Sequence, residues 1–258
     1  MEEGLVPRSN PGSQRWFWVM LYAPWAFLVV YPWLVLSTML GAIGGFLVSL
    51  LRADFAFYFA GPWAKGLILA NFSRVTITGF DKVQPGHAYV MVSNHQSHFD
   101  ILALLSRWPH QFRFVMKQEL RSVPFLGWYC GFLGNVFVDR RDHARSVASI
   151  KAAIPLLERG VSVLFFAEGT RSRDGRLQAF KKGAFNFALE SGFPILPISI
   201  SGTHRILPGN QLGPLPGHVR MTVHEPIPTA GLGIDQKEAL MQQVRTAISS
   251  GLTPFELR

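Results

Sequence analysis

The sequence predicts an α/β domain, a largely parallel sheet flanked by helices, preceded by a hydrophobic helical hairpin that anchors the chain in a membrane. Two observations lead to this fold class. After residue 71, short β-rich runs alternate with helical patterns, and before it the stretch 16–51 carries no charged residue. The chain of 258 residues is 48% hydrophobic and only 16% charged, which excludes a disordered protein.

The charge-free stretch at 16–51 lies between Arg15 and Arg52. One bilayer span needs about 20 apolar residues, so this length fits one long tilted span or two shorter helices. Pro24, Pro32 and the glycines of 41–45 favour a break, so we predict a two-helix hairpin. A hairpin returns both flanking arginines to one side of the membrane, the cytoplasmic side.

Two other interpretations of the apolar stretch are less favourable. A secretory signal peptide has a shorter apolar core and a basic segment before it. A buried helical hairpin in a soluble protein seldom runs so long without polar residues. We therefore divide the chain into a flexible tail at 1–14, a hydrophobic membrane anchor at 15–70 and a catalytic domain at 71–258.

The chain carries 25 Lys and Arg against 16 Asp and Glu, and most of the excess lies in 71–258. A basic surface attracts nucleic acid, anionic lipid or phosphorylated small molecules. The apolar N-terminus favours lipid, so a phospholipid membrane is the predicted partner and nucleic acid is not. The single cysteine, Cys130, excludes an intrachain disulfide and a cysteine zinc cluster.

Seven strands are predicted after residue 71, from apolar and β-branched runs bounded by polar residues. They lie at 74–78, 88–92, 113–116, 136–138, 161–166, 195–199 and 219–223. One apolar stripe with helical spacing runs from Ala144 to Leu157, and Gly160 follows as a stop signal. In parallel sheets ligands bind where strands end and helices begin, so functional residues are expected at those positions.

The second predicted strand is followed by His95 and Asp100. On a continuous helix, residues five apart point about 140° away from each other, so these side chains can meet only across a strand-to-helix corner. There His95 can act as a general base while Asp100 holds its other ring nitrogen. Two alternatives remain: an N-cap network made by Asn94 or Ser97, and a metal site that adds His98. No further cluster of histidine and carboxylate supports the metal site, so none is predicted.

A second group of polar residues follows the most apolar strand. A glycine beside hydroxyls and a guanidinium at a strand end can hold a phosphate through backbone N–H groups and a bidentate fork. The alternative is a charged turn with an internal pair between Glu168 and Arg171. The candidate substrate-binding residues are Arg140, Glu168, Gly169, Thr170 and Arg171, with Lys117 and Lys182 as further cations.

Together these motifs resemble the glycerolipid acyltransferase superfamily, most closely the bacterial and plastid-type 1-acyl-sn-glycerol-3-phosphate acyltransferases. The resemblance covers about residues 70–205 and rests on four motifs in order. The first motif is NHxxxxD, the second joins a glycine, a phenylalanine and an arginine, the third is FPEGTRS and the fourth is a strand with a proline. They correspond here to Asn94, His95 and Asp100; to Gly134, Phe137 and Arg140; to 166–172, where Ala167 replaces the proline; and to 195–198.

The resemblance implies transfer of a fatty acyl group from acyl-CoA or acyl carrier protein to the sn-2 hydroxyl of lysophosphatidic acid, giving phosphatidic acid in phospholipid biosynthesis. His95 then serves as general base and Asp100 orients it. Arg140 and Arg171 grip the phosphate, and Glu168 fixes an arginine or a glycerol hydroxyl. The sequence has no G-x-S-x-G elbow, so direct transfer without a covalent acyl-enzyme is expected, and no cofactor beyond the acyl donor.

The partners implied are a lysophospholipid, an acyl thioester donor with acyl carrier protein as one candidate, and the membrane. The implied location is the bacterial inner membrane, with the catalytic domain facing the cytoplasm. Alternative functions are acylation of glycerol-3-phosphate or another lysophospholipid, a membrane-anchored metal phosphoesterase, and a non-enzymatic adaptor for anionic lipid. The adaptor leaves the spacing of His95 and Asp100 unexplained. Residues 206–258 carry no motif.

Overall fold

The computed structural model describes residues 11–49, 56–209 and 213–258. Most of the predicted tail, at 1–10, and Arg52 lie outside these ranges. The prediction that Arg15 and Arg52 share one side of a membrane therefore depends on a residue outside the described part of the chain. The centre of the fold is a seven-stranded sheet in the order β1-β7-β6-β2-β5-β3-β4. Its strands are β1 (Arg74–Thr78), β2 (Val90–Ser93), β3 (Phe112–Lys117), β4 (Val136–Val138), β5 (Ser162–Phe166), β6 (Ile195–Ser201) and β7 (His218–Val223).

Every predicted strand is present, and each end lies within two residues of its predicted position. The pairs β2–β5, β2–β6, β3–β5, β3–β4 and β1–β7 are parallel, and only β6–β7 is antiparallel. The prediction of a largely parallel sheet is therefore confirmed.

Eleven α-helices accompany the sheet in the described part of the chain: α1 (Pro11–Trp25), α2 (Tyr31–Ser49), α3 (Ala56–Ala70), α4 (Phe99–Arg107), α5 (Leu126–Phe132), α6 (His143–Lys151), α7 (Ile154–Glu158), α8 (Gly183–Ser191), α9 (Thr203–Ile206), α10 (Lys237–Ser250) and α11 (Pro254–Leu257). Short 3₁₀ turns lie at Phe80–Lys82, Gln118–Ser122 and Ile234–Gln236, and a π-helical segment at Ala26–Val30. The helical stripe predicted at 144–157 forms two helices, α6 and α7, because Pro155 cannot continue α6 but fits the first turn of α7.

The central strands β2, β5 and β6 are buried on both faces, as parallel strands between helical layers are. Successive residues of a strand face opposite sides, and β2 shows this directly. Met91 belongs to the core cluster shared with α3 and α4, whereas Val90 and Val92 belong to the cluster shared with α8 and α10. The sheet thus has one core on each face, and its strand ends are left to form a site.

The apolar N-terminal stretch is one continuous helix, since α1, the π-helical segment and α2 follow one another without interruption over 11–49. The predicted break inside 16–51 is wrong, because the π-helical segment lets the helix pass Pro24, which lies inside α1. The second arm of the hairpin is α3, which runs antiparallel to this helix. Trp25 Nε1 donates to the Ala70 carbonyl at 2.8 Å. Trp33 packs against Gly66, where an added Cβ would lie 3.4 Å from Trp33 Nε1. The later residue of one helix thus contacts the earlier residue of the other, as in an antiparallel pair.

Within the described residues, one helix, Arg15–Val48, is long and apolar enough to cross a membrane, with a mean hydropathy of 1.9. It nevertheless lies along the α/β domain. Arg15 donates to the carbonyls of Arg205 at 2.7 Å and Gly213 at 3.2 Å. Near the other end of the helix, the rings of Phe46 and Phe132 lie 5.2 Å apart. One side of the helix therefore packs on the domain while large apolar side chains on the other side are exposed.

Helix α3 is part of the catalytic domain's core, although the sequence placed it in the anchor. Phe57 and Ile68 of α3 lie in the same buried cluster as Met91 of β2 and Phe112 of β3. The predicted boundary between residues 70 and 71 therefore cuts through a continuous core. Of the described residues at 11–49, none belongs to either core cluster, so this helix lies outside the core.

Replacing Ile68 by alanine should destabilise the domain, because Ile68 is only 4% exposed in the core under α3. Truncation of a buried isoleucine to alanine costs about 2–5 kcal/mol of unfolding free energy. The adjacent Leu69 is 62% exposed and provides the matched control, Leu69→Ala. Unfolding of both variants in detergent by circular dichroism checks this, and equal losses of stability would show that α3 does not belong to the core.

Candidate active site

The parallel strands β2, β3, β4 and β5 end at the same edge of the sheet. The predicted site residues follow these strand ends: His95 and Asp100 after β2, Lys117 at the end of β3, Arg140 after β4, and 168–171 after β5. The fold therefore gathers residues that are far apart in sequence along one edge, where ligands of open α/β sheets bind.

The corner between β2 and α4 brings His95 and Asp100 together. His95 Nδ1 lies 2.8 Å from Asp100 Oδ2, and the same oxygen accepts the backbone N–H groups of Gln96 at 2.7 Å and Ser97 at 2.9 Å. Asp100 is fully buried, so its charge is stabilised by these three donors rather than by water. Among the described residues, no group donates to its other oxygen, Oδ1, which is also buried.

The hydrogen bond to Asp100 fixes the orientation of the imidazole. With a proton on Nδ1 directed at the carboxylate, the neutral ring presents the lone pair of Nε2 on its other side. The ring also stacks on Phe166, the last residue of β5, with ring centroids 3.8 Å apart and planes 10° apart. Phe166 was not predicted as a site residue, and its only sequence signal is its position at the head of the third motif.

The N-cap alternative for this corner holds only in part, because Ser97 bonds the first N–H of α4 whereas Asn94 does not, and His95 is bonded to Asp100 rather than only solvated. Asn94 instead exchanges two hydrogen bonds with the backbone of Ile200 in β6, each 2.8 Å long. Ser97 Oγ accepts the N–H of Phe99 at 3.1 Å and donates to the Leu207 carbonyl at 2.6 Å. These bonds fasten the corner to its neighbours and leave the histidine for another role.

The metal alternative also lacks a ligand set. In the part of the chain that the structure describes, no three His, Cys, Asp or Glu side chains are grouped closely enough to hold a metal ion. His98, the third ligand considered, lies just before α4 and is exposed, whereas Asp100 is buried and bonded to His95.

Glu168 joins the two motif loops. Its Oε1 accepts the backbone N–H of His95 at 2.7 Å, and its Oε2 accepts the N–H of Gln178 at 3.0 Å. It is only 2% exposed, so both oxygens are occupied inside the protein instead of pairing with Arg171 or facing a ligand. Burial raises the pKa of Glu168 to about 7, although the two backbone donors act to lower it.

The turn after β5 carries the arginines, and two of its backbone amides are already used. The N–H of Gly169 donates to the Phe166 carbonyl at 3.0 Å, and that of Ser172 donates to the His95 carbonyl at 2.8 Å. The expected phosphate contact through the amide of Gly169 is therefore not available. Arg140 donates to the carbonyl of Gly169, while Arg171 follows in the same turn and is partly exposed.

Ala167 adds a further bond between the loops. Its N–H donates to the Ser93 carbonyl at 2.8 Å, which a proline at this position cannot do. The alanine at this position therefore connects the turn to the end of β2.

The two candidate lysines lie in different surroundings. Lys117 pairs with Glu119 at 2.9 Å beside the end of β3, and Lys182 pairs with Glu238 of α10 at 3.0 Å. The lysine next to the turn is Lys181, because its Cγ lies 3.2 Å from where a Cβ on Gly169 would be. Sequence analysis missed Lys181 because nothing in the pattern separates it from its neighbour.

A shallow cavity of about 480 Å³ opens beside this turn. Two of the arginines that line it, Arg173 and Arg176, were not among the residues predicted from the sequence. The cavity is lined by Thr170, Arg171, Arg173, Asp174, Arg176 and Gln178. Arg176 pairs with Asp174 at 3.6 Å, so the three guanidinium groups and one carboxylate leave the cavity with a net positive charge, which suits a phosphate-bearing ligand.

Comparisons with known proteins point to one family. The model of the family described as Acyltransferase matches residues 74–201. The chloroplastic 1-acyl-sn-glycerol-3-phosphate acyltransferase LPAT1 of Arabidopsis thaliana is 39% identical over 178 residues, which are 68% of this chain and 49% of that protein. The putative 1-acyl-sn-glycerol-3-phosphate acyltransferase acl-2 of Caenorhabditis elegans is 34% identical over 196 residues, 75% of this chain and 68% of that protein.

A solved structure is similar over nearly the whole chain. The crystal structure of the 1-acyl-sn-glycerophosphate (LPA) acyltransferase PlsC from Thermotoga maritima superposes with a TM-score of 0.69 and 29% sequence identity, covering 92% of each chain. The plant and algal relatives are longer, and the present chain spans about half of their length.

Glu168→Gln should alter how stability depends on pH. The folded chain keeps the proton on Glu168 up to about pH 7, whereas the ordinary pKa of a glutamate is 4.5, so the folded state binds more protons between these values. The stabilising contribution of this group is complete below pH 4.5 and is lost as the pH rises through 7. The full difference corresponds to roughly 3 kcal/mol.

Thermal unfolding in detergent at pH 5 and pH 8 measures this effect. We expect the wild type to lose more stability than Glu168→Gln over this interval. Glu158→Gln, at an exposed position, is the control and should follow the wild type. Identical pH slopes for wild type and Glu168→Gln would show that this carboxyl does not titrate abnormally.

Proposed function

The chain belongs to the acyltransferase family, and on that premise we propose that it transfers a fatty acyl group from an acyl thioester to the sn-2 hydroxyl of lysophosphatidic acid, giving phosphatidic acid. The observation that carries this proposal is the pair of His95 and Asp100, 2.8 Å apart, at the same sheet edge as the arginine-bearing turn after β5. The names of the relatives support the acceptor.

The geometry of His95 suits proton transfer. Nε2 accepts the proton of the acceptor hydroxyl while Nδ1 donates to Asp100, whose negative charge stabilises the imidazolium. The hydroxyl oxygen attacks the thioester carbonyl carbon, and collapse of the tetrahedral intermediate breaks the carbon–sulfur bond. The departing thiolate takes the proton from His95, which restores the neutral base. No covalent acyl-enzyme is required, and Cys130, whose thiol pKa burial raises to about 11, is a poor nucleophile.

The acceptor phosphate is assigned chiefly to side chains, because the amides of Gly169 and Ser172 in this turn are already bonded. Arg171 lies in the basic cavity, and Arg140 reaches the turn from the end of β4. Both can present a planar fork to phosphate oxygens. Lys181 is the additional cation beside the turn. Glu168 holds the backbone at His95 and at Gln178 in place by accepting an N–H from each.

We infer that the protein works at a membrane, because its acceptor and product are lipids and its Arg15–Val48 helix is apolar enough to enter one. The donor, acyl-CoA or acyl carrier protein, is water-soluble and cytoplasmic. The α/β domain therefore faces the cytoplasm, and in a bacterium the membrane is the inner one. The basic domain surface suits both the anionic membrane and the anionic donor.

The first test is an acceptor panel with the purified chain. Lysophosphatidic acid, glycerol-3-phosphate and lysophosphatidylcholine are offered with acyl-CoA or acyl carrier protein thioester, and products are identified by mass spectrometry. We expect phosphatidic acid from lysophosphatidic acid. His95→Ala should reduce its formation about 10²-fold to 10⁴-fold, and Asp100→Asn should also be severe because the charge that supports the imidazolium is lost.

His87→Ala is the matched control, since His87 is exposed at the opposite end of the sheet, before β2. It should keep wild-type turnover. Near-normal turnover by His95→Ala would overturn the base assignment. Acylation of glycerol-3-phosphate alone would keep the chemistry and change the acceptor.

The second test separates phosphate binding from chemistry. Arg171→Ala and Arg140→Ala should raise KM for lysophosphatidic acid roughly 10-fold to 100-fold with a smaller effect on kcat, since a charge-assisted hydrogen bond contributes about 1.5–3 kcal/mol. Lysine should restore little, because it lacks the fork. Arg145→Ala, at an exposed position in α6, is the control. If both variants still prefer lysophosphatidic acid over monoacylglycerol as strongly as wild type, the phosphate contact lies elsewhere, with Lys181 next to be tested.

A further inference from the structure

The segment between β3 and β4 exposes apolar side chains that the proposed chemistry does not use. It comprises the 3₁₀ turn Gln118–Ser122, a short connection and α5, and we call residues 118–132 the wedge. Trp128 is 56% exposed, and three further large apolar side chains of the wedge, Leu120, Val123 and Phe132, are also exposed. Exposed apolar groups clustered in this way mark an interaction surface.

The tip of the wedge has a tight and strained backbone. Phe125 adopts φ 61° and ψ −55°, and the N–H of Leu126 donates to the Pro124 carbonyl at 2.7 Å, which defines a γ-turn of the rare positive-φ type. Gly127 packs so closely that a Cβ there would lie 2.3 Å from the Arg121 carbonyl oxygen. Such strain persists where the surrounding structure holds it, and here it fixes the direction of the exposed apolar groups.

The wedge is continuous with the exposed apolar side of the helix at 11–49. Phe132 of α5 packs on Phe46 of α2 with ring centroids 5.2 Å apart. Tyr129 covers Gly45 so tightly that a Cβ on the glycine would lie 2.5 Å from its ring. Exposed Ile43 and Leu47 flank this contact on the helix. A bilayer that receives the helix is therefore adjacent to the wedge.

The charges around the wedge fit a phospholipid surface. Lys117 precedes the wedge and Arg121 lies within it, and both are exposed. Exposed Arg141 lies 3.7 Å from Glu119, which also pairs with Lys117. Cations at the border of an apolar patch meet lipid phosphates while the apolar groups enter the acyl region, and tryptophan is favoured at that depth.

We propose that the wedge is a second membrane-contacting element, which inserts Leu120, Val123 and Trp128 at the boundary between headgroups and acyl chains. This inference rests on the proposed function, because a lipid acceptor gives the domain a reason to meet the bilayer. The wedge leaves β3 at the same edge of the sheet where His95 follows β2. Two contacts, the helix at 11–49 and the wedge, then fix how that edge faces the membrane.

Fluorescence quenching tests the proposal on the full chain. In a Cys130→Ser background, Trp128→Cys carries an environment-sensitive probe, and the protein is bound to vesicles of phosphatidylcholine and phosphatidylglycerol with nitroxide lipid labelled near the headgroup. Insertion to a depth of about 5–10 Å should remove about half or more of the emission and shift it to the blue. Leu120→Cys is a second probe position, in case one substitution disturbs folding.

Asn186→Cys is the control, because Asn186 is exposed on α8, which packs on the other face of the sheet. The helix at 11–49 holds all three labelled proteins on the vesicles, so only the wedge probes should be quenched. Acyl transfer is measured on the same samples. If both wedge probes are quenched but no acyl product forms, the membrane contact of the wedge is supported and the proposed function is wrong.

If acyl product forms but the wedge probes are quenched no more than the probe at Asn186→Cys, the proposed membrane contact of the wedge is wrong and the proposed function stands. A third outcome also contradicts the proposed membrane contact. If lipid does not quench the wedge probes but their shielding from solvent increases with protein concentration, a second copy of the chain covers this surface.

Discussion

The active-site corner depends on the buried carboxylate of Asp100. One oxygen of this side chain gathers the imidazole of His95 and the backbone amides of Gln96 and Ser97, so it sets both the path of the chain and the orientation of the base. A charge with no exposure to water needs such donors, because an unpaired buried charge costs several kcal/mol. The same bonds therefore fold the corner and orient the imidazole, as the proposed role of His95 as general base requires.

A second acidic side chain, Glu168, connects the loops at this edge of the sheet. It receives amide bonds from His95 and Gln178, residues 73 and 10 positions away, and so joins the loop after β2 to the loop after β5. Ala167 and Ser172 add two more bonds between the same loops. The base loop and the arginine turn are therefore fixed to each other, which limits how far His95 and the backbone of the arginine turn can move apart.

The strands and the pairing of His95 with Asp100 could be predicted because their signals are local: short runs of apolar and β-branched residues, and a spacing of five that requires a bend. The partners of Glu168 could not, since backbone amides leave no mark in the sequence. Lys181 and Lys182 are neighbours of one type, and only the start of α8 decides which lies beside Gly169. The prediction of a helix break was wrong because a proline inside a helix usually interrupts its hydrogen bonds. Here the π-helical segment that follows Pro24 accommodates the proline, and the helix continues.

The position of α3 links these features to the membrane. Its buried residues belong to the core beneath β2 and β3, and its other contacts hold the helix at 11–49 through Trp25 and Trp33. The apolar helix is thus fixed to the layer that supports the catalytic corner, and at its far end it meets α5 through Phe46. A helix attached at both ends cannot swing away from the domain, so whatever orientation it takes in a bilayer is passed to the sheet edge. Under the proposed function, the acceptor then reaches His95 from the lipid side, while the water-soluble donor approaches the same edge from the solvent.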